Sequence, residues 1–184
     1  MARLNVGDKM PNLTFNTPYE TGRTLGETVD RVRGKTALVF LRYYGCTLCQ
    51  YNIHVFKSEH EKIAATGGQM LVVLQSDPQK LAAQVKQGDL PFDIICDPDQ
   101  EIYKLLEIKP AASKEEMRDE TTADKIAALK AKVPVEYTHG EYEGDELQLP
   151  ATFILEPDLT VTYAGYHKAI SDTPSPDELA ELLK

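Results

Sequence analysis

The chain's apolar positions switch between two periods. Thr36 to Tyr44 (TALVFLRYY) and Gln69 to Gln75 (QMLVVLQ) are continuous apolar runs rich in Val and Leu, the pattern of strands covered on both faces. Between them Cys46, Cys49, Ile53, Phe56, His60 and Ile63 recur at alternating spacings of three and four. That spacing puts them all on one face of a helix, which Gly67 and Gly68 end. Asp77 followed by Pro78 is an N-cap with proline at the first helical position, and Leu81 and Val85 share a face of the helix that runs toward Gly88. The device recurs: a short strand from Phe92 to Cys96 leads to Asp97, Pro98 and a helix with Ile102, Leu105 and Leu106 turned inward. Strand and helix alternating in this way imply right-handed crossovers and a parallel sheet with helices on both faces.

From Lys109 the pattern becomes charged. SKEEMRDETTADKIAALKAKV opens with a capping box of Ser113 and Glu116 and predicts an amphipathic helix whose few inner positions, Ile126, Leu129 and Val133, lay it over the surface. A polar loop, VEYTHGEYEGDELQLP, precedes ATFILEPDLTVTYAGY, two short runs around Pro157 and Asp158 that predict an antiparallel hairpin. Ser175, Pro176 and Glu178 cap a last helix carrying Leu179, Leu182 and Leu183.

With 184 residues, 42% of them hydrophobic, the chain can close one sizeable core, so a single domain over 1–184 is expected. A formal charge of −9 opposes nucleic acid or an anionic membrane as partner. No apolar run is long enough to span a bilayer, and MARLNVGDKMPNLTF lacks a signal-peptide core, which together predict a soluble cytoplasmic protein. Three cysteines are no secreted disulfide framework, and close pairs inside cells are more often catalytic or metal-binding.

Cys46 and Cys49 stand where the first apolar run gives way to the helix. At a helix amino terminus, unpaired N–H groups and the helix dipole favour an anion such as a thiolate. Residues three apart on a first turn also lie close enough to close a disulfide. The rival readings are two inert core residues or part of a zinc site. Zinc wants four ligands, and His54, His60, His139 and His167 are scattered. Arg42, near the strand end, either holds the thiolate or pairs with a surface acid, depending on strand register. Cys96 reads as strand filler, Tyr43 and Tyr44 as packing that could line the site, and His60 as a hydrogen-bonded core histidine.

FLRYYGCTLCQ, LNVGDKMPNLTFNTPYETGRTL, LPFDIICDPDQEIYKLLEI and LPATFILEPDLTVTYAGY together resemble the thioredoxin-fold redoxins, in particular peroxiredoxin-like proteins of the AhpC/TSA type that carry C-x-x-C. The resemblance covers nearly the whole chain. It implies a thioredoxin-like α/β fold, a mixed central sheet flanked by helices, with the charged stretch at about 110–148 as an insertion. It also implies a thiol-disulfide oxidoreductase or peroxidase that needs no bound cofactor, takes a peroxide or disulfide substrate, and is recharged by an external dithiol such as a thioredoxin-like protein. The two relatives assign the cysteines differently. In the thioredoxin pattern the first cysteine attacks and the second resolves; in the peroxiredoxin pattern Cys49 takes the peroxidatic place and Cys46 replaces a threonine. The arginine that peroxiredoxins place before the closing hairpin is absent here, and Pro150 resembles instead the cis-proline that faces the dithiol in thioredoxins. We expect Cys46, nearer the helix tip and more exposed, to attack, and Cys49 to resolve.

Overall fold

The computed structural model describes residues 3–184. A two-stranded hairpin, β1 (Thr14–Phe15) and β2 (Arg23–Thr24), leads into a short helix α1 (Leu25–Val29), which Thr24 caps through its hydroxyl. Then follow β3 (Thr36–Phe40), α2 (Thr47–Ser58), α3 (Glu61–Ala64), β4 (Gln69–Leu74), α4 (Pro78–Gln84), β5 (Asp93–Cys96) and α5 (Glu101–Leu105). After a long segment containing α6 (Thr122–Ala131), the chain closes with β6 (Ala151–Leu155), β7 (Val161–Tyr166) and α7 (Pro176–Leu182).

Five strands form one mixed sheet in the order β5-β4-β3-β6-β7. The two crossovers make β3, β4 and β5 parallel, and the closing hairpin adds β6 and β7 antiparallel, as the alternation of patterns predicts. β3 is central, and its side chains divide between the two faces. Ala37, Val39 and Leu41 join Ile53, Phe56 and Ile63 on one side; Leu38 and Phe40 join Val29, Ile102 and Tyr103 on the other. Phe40 meets Tyr103 and Phe153 edge-on at 5.1 and 5.8 Å, an arrangement that favours aromatic pairs beyond their buried area.

Several local expectations need correction. The single helix expected from Cys46 to Ile63 divides at Glu59, whose φ of −110° leaves the helical region. Its stripe still faces the core except for His60, which is half-buried beside the Phe92 ring and has no side-chain hydrogen bond among the described residues. Leu105 is 37% exposed: Ile102 and Leu106 face inward as expected, Tyr103 joins them, and Leu105 falls at the edge of the face those three define. Ser113 and Glu116 do make a capping turn, the Glu116 N–H donating to the Ser113 hydroxyl at 3.3 Å, but the helix begins only at Thr122. Asp119, accepting from the N–H of Thr121, starts the chain afresh there. Ile126 and Leu129 are half-buried and, with Val55, Phe56 and Leu182, line a cavity of about 740 Å³ rather than a filled core.

Asp97 sits outside α5, yet its carboxylate accepts the N–H groups of Glu101, Ile102 and Tyr103 at 2.9, 2.8 and 3.3 Å. It thereby supplies the acceptors that a left-handed Gln100 does not. Replacing Asp97 with Ala leaves buried donors unpaired and is expected to lower stability by about 1–3 kcal/mol, read from the urea midpoint, with Asp97→Asn losing less.

Candidate active site

The site forms where β3 ends. Phe40 pairs with Ala151, so the carboxyl end of β3 and the start of β6 meet at one edge of the sheet, bringing Pro150 beside the turn that follows Leu41. The Cys46 N–H donates to the Tyr43 carbonyl at 3.2 Å, closing that turn, and the Gln50 N–H donates to the Cys46 carbonyl at 3.0 Å, opening α2. Cys46 is thus the N-cap, a position that usually holds Ser, Thr, Asp or Asn. Its sulfur does what their oxygens do: it accepts the N–H of Cys49 at 3.3 Å. Cys49 lies inside the first turn, its sulfur accepting the backbone N–H of Arg42 at 3.4 Å.

Arg42 points into the site. Its Nη2 donates to the Cys46 sulfur at 3.0 Å and its Nη1 to the Glu146 carbonyl at 2.8 Å. Burial works against the Arg42 charge, but the two cysteines and Glu146 outweigh it. The Cys46 thiol is pulled down to about 6, chiefly by the hydrogen bond from the Cys49 thiol, with Arg42 adding its charge and overcoming burial. Cys49 goes the other way: burial, and then the neighbouring Cys46 sulfur, push it up. One sulfur therefore holds negative charge while the other keeps its proton one turn away. Cys96, on the edge strand β5 and separated from β3 by β4, is pushed up to about 12 by burial and the nearby Asp77 and Glu143. All three cysteines are free thiols, and no cluster of three or more metal-ligating side chains occurs among the described residues.

Two expectations about the site are overturned. Cys46 is not exposed: it has no accessible surface, against 4% for Cys49. The cause is the polar loop before β6, which lies across the turn. The Gly140 N–H donates to the Gly45 carbonyl at 2.8 Å, Gln50 bridges Gly45 and Thr138, the Asp145 N–H donates to Gln75 Oε1 at 2.7 Å, and Lys80 pairs with Glu141. Gly45 allows this approach, because a Cβ there would overlap the Glu141 backbone. The second concerns Pro150. It is buried and shares with Cys49, Arg42 and Asn52 a cavity of about 10 Å³, but no cis peptide bond exists among the described residues. The bond before Pro150 is trans, the form that X-Pro bonds favour.

The loop also brings in side chains whose role is invisible in the linear pattern. The Tyr43 hydroxyl donates to the Glu146 carboxylate and lies 2.9 Å from His139 Nε2, and the His139 ring stacks on Tyr142 at 4.0 Å. Tyr43 is fully buried and its phenol is held protonated by burial and by Glu146. Tyr44 contributes its backbone, its N–H donating to the Ser76 hydroxyl at 2.9 Å. His54 is held by Tyr137 and His167 by Thr152, away from the cysteines.

Residues 6–164 match the model of the AhpC/TSA family. No curated protein matches the chain. Among solved structures, the chain is similar to the peroxidoxin BcpB of Mycobacterium tuberculosis, at 12% identity and a TM-score of 0.64, over 98% of this chain and 95% of that one. A variant of peroxiredoxin 6 from Arenicola marina is similar at 13% identity and a TM-score of 0.66, over 98% and 72% of the two chains. The thiol peroxidase of Chromobacterium violaceum follows at 13% and 0.62, over 98% and 87%. At these identities the likeness is one of fold, and it agrees with the mixed sheet flanked by helices described above.

The loop's closeness to Gly45 makes its covering role testable. Gly45→Ala is expected to push the loop off the turn and speed modification of Cys46 by 5,5′-dithiobis(2-nitrobenzoate) about tenfold or more, because removing the cover converts a loop-opening step into direct access. Unchanged kinetics, read by stopped-flow absorbance, would show that the loop does not limit access.

Proposed function

Because the chain belongs to the AhpC/TSA family, we propose that it is a thiol-dependent oxidoreductase that reduces a disulfide or a peroxide through the pair Cys46 and Cys49. The observation that carries this reading is the Cys46 sulfur, seated as the N-cap of α2 and bonded by Arg42, with the Cys49 thiol at its side.

In this proposal the Cys46 thiolate attacks one sulfur of a disulfide. A Cys46-substrate bond forms, the substrate S–S bond breaks, and the departing thiolate takes a proton from water. Cys49 then gives up its proton and attacks the Cys46 sulfur, releasing the second substrate thiol and leaving a Cys46–Cys49 disulfide. With a hydroperoxide, Cys46 attacks the terminal oxygen, the O–O bond breaks, and the departing alkoxide takes a proton from water to leave as an alcohol. The resulting sulfenic acid is displaced by Cys49 with loss of water. Either way the two electrons come from the two thiols, and an external dithiol restores them.

Arg42 stabilises the attacking thiolate and takes over at the site the charge that the peroxiredoxin pattern places on the residue before the hairpin, where Pro150 stands. Pro150 packs beside Cys49 and bounds the small cavity there. The reverse order, with Cys49 attacking, would require a thiolate where burial and Cys46 hold the proton. We take residues 1–184 as a single redoxin domain with about 110–148 as its insertion. No helix among the described residues is long and apolar enough to cross a membrane.

Single variants test the order of attack. With Cys49→Ser and a small disulfide, mass spectrometry is expected to find a mixed disulfide trapped on Cys46. Cys46→Ser is expected to react about a hundredfold more slowly. An adduct or sulfenic acid that accumulates on Cys49 in the Cys46→Ser variant would reverse the assignment. The rate of the attack step is expected to rise as pH passes about 6 and to level above it, because the attacking form is the deprotonated one. Arg42→Met removes a positive charge at contact distance and should move that rise upward by about 1–3 pH units.

A further inference from the structure

Arg42 divides its charge between two anions. Nη2 is 3.0 Å from the Cys46 sulfur, and Nη1 is 4.0 Å from a Glu146 carboxylate oxygen while bonded to the Glu146 carbonyl. The carbonyl fixes the guanidinium from the loop side, whatever the side chain of residue 146. The carboxylate does something different: it competes with Cys46 for the same cation. Its Oε2 stands at 4.0 Å, too far for a direct hydrogen bond, while its Oε1 accepts the hydroxyl of the fully buried Tyr43. His139 lies beside the same phenol, its Nε2 2.9 Å from the phenol oxygen and its Nδ1 2.8 Å from the Gly140 carbonyl.

We propose that Tyr43 and Glu146 form a positioning pair, in which the phenol occupies the Glu146 carboxylate and so reserves the Arg42 guanidinium for the Cys46 sulfur. The pair thus sets how much of the cation the reactive sulfur feels. This rests on the reading of Cys46 as the attacking thiolate. Neither residue touches substrate; both act through Arg42. The groups that face the sulfur or the guanidinium are Cys49 from α2, Tyr43 from the turn and Glu146 from the loop, with His139 one contact further out.

The two partners should shift the sulfur in opposite directions, which a merely structural role would not produce. Tyr43→Phe keeps the ring but frees the carboxylate to close on Arg42, so the Cys46 titration midpoint should rise by about one pH unit. Glu146→Gln removes the competing charge while keeping an acceptor for the phenol, so the midpoint should fall by up to about one unit. In the double variant the Tyr43→Phe increment should vanish, because no carboxylate remains to be released.

The readout is thiolate absorbance at 240 nm between pH 4 and 8.5 on the full chain, where Cys49 and Cys96 stay protonated. Opposite shifts with a non-additive double variant support the pair. Shifts of the same sign, additive shifts or none would overturn it while leaving a low wild-type midpoint, and the thiolate reading, intact. A wild-type midpoint near that of an ordinary thiol would overturn both.

Discussion

A guanidinium held 3.0 Å from a sulfur is the contact on which the rest of the site depends. Neither partner is comfortable alone. Burial penalises the charge on both Arg42 and Cys46, and each stabilises the other's charge, although the hydrogen bond from the Cys49 thiol does most to lower Cys46. The helix terminus adds to this, since Cys46 receives the Cys49 N–H that the first turn of α2 leaves without a partner. Cys49 receives the Arg42 N–H, but burial and the neighbouring Cys46 sulfur outweigh it, so it stays a thiol. Two cysteines of identical chemistry are thereby made unlike by their places on one turn of helix.

The fold serves this contact through β3. As the central strand, paired on both sides and covered on both faces, it fixes where the turn after Leu41 begins. The Gln75 N–H donates to the Arg42 carbonyl at 2.7 Å, extending the ladder toward β4 by another bond and pinning the backbone from which the guanidinium projects. The loop before β6 then seals the turn from outside. Its cost is access, because Cys46 has no open surface while the loop is down. Its benefit is a dry site, in which each charge acts more strongly than in water.

Much of the scaffold was legible because its signals are local. Asp77-Pro78 and Ser175-Pro176 with Glu178 cap α4 and α7 as read, and the stripe from Cys46 to Ile63 faces the core apart from His60. The spacing of Cys46 and Cys49 revealed a pair at a helix tip for the same reason. The direction of Arg42 was not legible, because a strand side chain chooses its face by register, and register depends on partners far along the chain. Glu146 and His139 lie about a hundred residues from Tyr43, in a polar loop without periodicity, so nothing in the pattern points to their meeting it. That same tertiary contact buries Cys46, against the expectation of an exposed helix tip. Leu105 failed for a smaller reason: it lies at the edge of the face that Ile102, Tyr103 and Leu106 bury.

The unlike charge states of the two sulfurs are the claim from which everything else follows. Labelling the cysteine β-carbons with ¹³C and following their NMR shifts with pH reads each sulfur separately in the intact protein. The account predicts that Cys46 titrates near pH 6 while Cys49 and Cys96 remain thiols through pH 8.5. Cys49 titrating first, or Cys46 and Cys49 titrating together in the range of ordinary thiols, would contradict it.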